Sequence, residues 1–175
     1  PVVLNEIPPA PALVDWDADG DASHVDEWVE LYNAAPYRAH LKGWRLSDAG
    51  ADRRGWAYRF ADGDAIEPRG FFVLYRATSG IALDNGADAL RLTRPDGSEA
   101  DRFGWSGSPG YDRSWGRDLD GAGRWSMELA VTPGKPNRPL APGTPLFMEP
   151  AQLSIPLAEL NAAAANQRKV FQNQA

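Results

Sequence analysis

An all-β chain, folded as a two-sheet antiparallel sandwich, is what this sequence predicts. Short β-rich runs recur through residues 1–120, and Gly and Pro break them at close intervals. The composition, with 15 Pro, 17 Gly and seven Trp, suits short strands joined by tight turns and leaves little for long helices. At 175 residues the chain suits one domain with an appendage, and about 70% of the unfolded surface can be buried at that size.

The elements follow in order. Residues 2–7, VVLNEI, read as a first strand, closed by the Pro-rich PPAPA. Residues 27–33, EWVELYN, alternate most cleanly, with Trp28, Glu30 and Tyr32 on one face and Val29 and Leu31 on the other. Strands are expected at 42–48 (KGWRLSD), 55–60 (GWAYRF) and 70–76 (GFFVLYR). Residues 88–105 read as a hairpin turning at Pro95-Asp96-Gly97, and 113–118 (RSWGRD) as the last strand.

The texture changes at Thr132. Pro recurs every few residues, which favours extended backbone and supplies no donor for a central strand. Beyond it, LAELNAAAANQRKVFQ predicts a short terminal helix, with Ser154 as cap and Pro156 in the first turn. Its apolar stripe of Leu157, Leu160 and Ala164 is thin, and so short a helix is marginal alone in water. The expected organisation is a sandwich over 1–137 and a Pro-rich tail with its helix over 138–175.

Charge and residue usage narrow the function. The net charge is −6, and the first thirty residues hold eight acids and no base. Such a surface repels phosphate backbones, which disfavours nucleic acid as a partner. Without Cys there are no disulfides, thiolate metal sites or Cys nucleophiles. No apolar run reaches the ~20 residues of a membrane span. The chain opens on Pro1 without a signal peptide, as expected of an excerpt or a processed product.

Seven motifs in order carry a family likeness: VVLNEI, DEWVELYN, LKGWRLSD, GFFVLYR, NGADALRLTRPDGSEADRFGW, RSWGRDLDGAGRW and TPGKPN. Together they resemble the lamin tail domain, and most closely its bacterial exported members, over residues 2–137. The resemblance implies an immunoglobulin-like β-sandwich without catalytic residues, used as an accessory or interaction module of secreted or surface proteins. It leaves the tail unexplained. Fold likeness gives a class of job and not the job itself.

Residues 15–28, DWDADGDASHVDEW, pack six acids into fourteen positions with no Lys or Arg. The pattern fits a calcium loop, in which alternate short carboxylates fold inward around a hard cation. Asp15, Asp17 and Asp19 take the first, third and fifth positions, and Gly20 the turn at the sixth. Asp21 offers its carbonyl at the seventh and Ser23 sits at the ninth. The twelfth falls on Asp26, one methylene shorter than the usual Glu, which leaves two readings: Glu27 is a substitute ligand, or the site is weak. The expected affinity is that of extracellular modules, roughly 0.1–1 mM.

Other candidates read blandly. His24 lies inside the acidic loop, His40 has no partner motif, and Ser106 and Ser108 lack a nucleophile elbow. Catalysis and a small-molecule substrate are not expected. Trp28, Trp44, Trp56, Trp105 and Trp115 are read as core, and Trp16 and Trp125 as the more exposed pair. Arg53, Arg54 and Arg59 cluster beside Trp56 and Tyr58, but Asp48, Asp52, Asp62 and Asp64 flank them, which predicts cross-strand ion pairs.

The reading is therefore a non-catalytic, calcium-stabilised interaction module of an extracellular or cell-surface assembly. Its tail is expected to dock on another protein subunit through Leu146, Phe147, Leu153, Ile155, Leu157, Leu160, Val170 and Phe171. A carbohydrate-binding or adhesive module, or a nucleic-acid-binding accessory domain of a secreted hydrolase, is the alternative.

Overall fold

The computed structural model describes residues 1–143. The expected terminal helix and all eight docking residues lie outside them. Strands β1 (Val2–Ile7), β2 (Trp28–Asn33), β3 (Ala39–His40), β4 (Arg45–Asp48), β5 (Tyr58–Arg59), β6 (Ala65–Ile66) and β7 (Phe71–Tyr75) come first. Then follow β8 (Ala87–Thr93), β9 (Glu99–Ser106), β10 (Trp115–Leu119) and β11 (Ala122–Ser126). Two short helices interrupt them, α1 (Ala49–Arg53) and α2 (Arg76–Ser79).

One sheet has the order β11-β10-β1-β2-β7 and the other β5-β4-β8-β9, while β3 and β6 form a small ribbon. All pairings are antiparallel. Leu4, Ile7, Val29, Leu31 and Leu74 face Leu46, Leu90, Leu92 and Trp105 in a shared core. The chain is the expected all-β, immunoglobulin-like sandwich.

Three local expectations need correction. Only Tyr58 and Arg59 of the expected 55–60 strand pair, because Asp48 caps α1 and the chain is helical up to Arg53. The last hairpin continues past Leu119 into β11, turning at Asp120-Gly121. Trp56 is 42% exposed and not core, since the backbone turn after α1 holds it over the sheet rim.

The alternating β2 strand is buried on both faces. Val29 and Leu31 enter the core, while Trp28, Glu30 and Tyr32 lie beneath the 8–27 connection, the Asp120-Gly121 turn and the segment 132–137. That segment is strapped down by side chains. Thr132 donates its backbone N–H and hydroxyl to Glu6, Gly134 donates to Glu30 at 2.7 Å, and Asn137 donates to Asp120 at 3.0 Å. Just beyond, Leu129 bridges Pro139, so the chain is packed well past Thr132.

Candidate metal centre

The acidic loop bridges β1 and β2. Its backbone takes positive φ at Ala18 (61°) and Gly20 (101°), on either side of Asp19, as a tight turn requires. Asp15 accepts from the N–H groups of Asp19 and Gly20, Asp17 from Asp19, and Asp19 from Asp21. Each of Asp15, Asp17 and Asp19 thereby offers an oxygen within 4.8 Å of the others. Two oxygens that each lie about 2.4 Å from one calcium ion are at most about 4.8 Å apart, so the donor set fits a hard cation in chemistry and in span. Partial desolvation, followed by the charges of Asp19, Asp26 and Asp15, pushes the Asp17 carboxyl above the usual range.

The structure divides the predicted ligands. Asp26 is fully buried and closes the loop: Oδ1 accepts from Trp16 (2.6 Å) and Asp17 (3.0 Å), and Oδ2 from Ser23 (2.7 Å). Ser23 and Asp26 form a reciprocal capping box on the 3-10 turn His24–Asp26. Glu27 points elsewhere, receiving Arg76 at 2.9 Å and the Leu83 N–H at 2.7 Å. Burial pushes its carboxyl up to about 7, opposed by those two partners. Asp21 is exposed and stands outside the three-carboxylate group. Asp26 and Glu27 thus anchor the ends of the loop, and Asp15, Asp17 and Asp19 form its centre.

The tryptophans also sort differently from expectation. Trp16 packs edge-on against buried Trp28 with ring centroids 6.4 Å apart, and Trp125 stacks on Phe103 at 3.9 Å with the Arg117 guanidinium over its ring. Both are half-buried. Sequence reasoning also missed a second acidic centre, made by Glu6, Glu30 and Asp120 around Asn5. The only signal for it was an acidic residue within each of two largely apolar strands, Glu6 in β1 and Glu30 in β2.

The family model described as Lamin Tail Domain matches residues 1–107. The chain belongs to the lamin tail domain family. No curated protein and no solved structure matches it. Lamin tail domains are immunoglobulin-like, non-catalytic and generally serve as interaction modules. The matched span of this lamin tail domain holds the candidate centre and all of β1–β9, and β10 and β11 complete the first sheet beyond it. Among the described residues, no helix is long and apolar enough to cross a membrane.

Proposed function

We propose that this lamin tail domain is a non-catalytic interaction module of an extracellular or cell-surface assembly, stabilised by calcium at Asp15, Asp17 and Asp19. The observation that carries the calcium part is the gathering of three carboxylates on a connection whose ends are pinned by Asp26 and Glu27. Such an ion neutralises like charges and fixes a long inter-strand connection. It acts as a staple and does no bond-making. The tail 138–175, whose first residues pair with Glu128–Ala130, supplies attachment to a partner subunit, because a Pro-rich sequence loses little entropy when it lies along a groove or sheet edge.

Titration calorimetry with calcium alone tests the metal. One site per chain with a dissociation constant of roughly 0.1–1 mM is expected, and no heat from Asp17→Ala/Asp19→Ala. Co-purification from the native source tests the attachment. Deletion of 138–175 should abolish capture of the assembly, and full capture by the truncated chain would refute that role.

A further inference from the structure

The outer face of the four-stranded sheet carries a row of arginines. Register places Arg45 opposite Arg59, and Arg91 opposite Arg102. Their neighbours Leu46, Leu90 and Leu92 are fully buried, so the arginines project to the other side. The row crosses four adjacent strands, about 14 Å at the usual strand spacing.

The flanking acids neutralise only Arg91 in this row. Asp62 pairs with Lys42, Asp48 caps α1, Asp64 accepts from Ala61, and Asp52 pairs with Arg91. Among the described residues, Arg45, Arg53, Arg54, Arg59 and Arg102 have no acidic partner, and the buried Arg91 Nε has no hydrogen-bond partner. Three of these unpaired guanidinium groups, Arg45, Arg59 and Arg102, share the outer sheet face of a chain of net charge −6 and point to an external anion.

A groove of about 260 Å³ opens within this face, lined by Arg45, Ser47, Asp52, Trp56, Arg91 and Thr93. We propose that it binds a carboxylated polysaccharide, one uronate ring in the groove and its neighbours along the arginine row. A uronate supplies a planar carboxylate for Arg45, which guanidinium recognises through paired hydrogen bonds. Its hydroxyls can donate to Asp52 and exchange hydrogen bonds with Ser47 and Thr93. Its C–H face can lie on the exposed Trp56 ring. A DNA strand fits less well, since its phosphodiesters bring no hydroxyl donor for Asp52 and a denser charge against an acidic protein. The site is independent of the metal reading.

The test is titration of the full chain, in chelator, with an oligogalacturonate, with the same oligomer reduced at its carboxyl groups, and with oligo(dT). The uronate oligomer should bind, and the reduced oligomer and oligo(dT) at least about tenfold more weakly. Arg45→Gln and Trp56→Ala should each weaken uronate binding by at least about tenfold. Arg59→Gln, on an exposed edge strand, replaces Arg45→Gln if that variant misfolds. Absence of uronate binding, equal binding of the reduced oligomer, tighter binding of oligo(dT), or unchanged affinity in folded variants would overturn the proposal.

Discussion

Glu6 and Glu30 lie directly opposite each other on β1 and β2, both without solvent exposure. Like charges so placed repel, and burial adds a desolvation cost. A bulge between Leu4 and Glu6 creates the pairing and turns Asn5 toward the same centre. The donors are divided between the two acids. Ser114 and Thr132 serve Glu6, while Asn5 and Gly134 serve Glu30. The carboxylates therefore fasten the strap 132–137 to the sheet, and the strap in turn covers them.

This arrangement sets a pH dependence. Burial raises Glu6 to about 7 and Glu30 to about 8, against an ordinary value of 4.5, with hydrogen bonds opposing the shift. The folded chain holds these protons more tightly than the unfolded chain. Their contribution to stability is thus fully present below about pH 4.5 and declines as pH rises through 7 to 8. Melting midpoints should fall by about 5 °C or more between pH 5.5 and 8.5, and Glu30→Gln should flatten the slope. A midpoint that rises over this range would contradict the account.

Asp26 should prove a structural residue more than a ligand. Asp26→Ala removes the acceptor shared by the Trp16, Asp17 and Ser23 N–H groups. Denaturant unfolding should show a loss of about 2–4 kcal/mol in the presence of chelator, when no ion can contribute. A loss seen only when calcium is present would instead make Asp26 a ligand.

Gly121 turns the β10–β11 hairpin with φ 72°, and a Cβ there would sit 2.5 Å from the Tyr32 ring. Gly121→Ala combines left-handed strain with a clash against a packed aromatic. It should destabilise the fold by about 2–4 kcal/mol, read by denaturant unfolding, whereas Gly134→Ala meets strain alone and should cost less.

The sandwich was legible because β-rich runs and Gly/Pro breaks are local properties of the chain. The facial split of β2 was legible too, with Val29 and Leu31 facing the core. What covers the other face was not. The contact between Glu30 and Gly134 joins residues 104 positions apart, and no local pattern announces it. At the acidic loop, spacing alone identified Asp15, Asp17 and Asp19 as a set. It could not separate them from Asp26, whose carboxylate is consumed by backbone N–H groups that only the folded loop brings near. Similarly, sequence proximity suggested partners for Arg59, whereas strand pairing put Arg45 opposite it and sent Asp62 to Lys42.

The central claim, that an ion at Asp15, Asp17 and Asp19 helps hold this scaffold together, is tested most directly by thermal melting with chelator and with saturating calcium. At tenfold excess over the dissociation constant, binding adds about 1.4 kcal/mol, a midpoint rise of about 3–6 °C for a chain of this size. The account predicts that rise in the native chain and its loss in Asp17→Ala/Asp19→Ala. Identical midpoints in chelator and calcium for the native chain would contradict it.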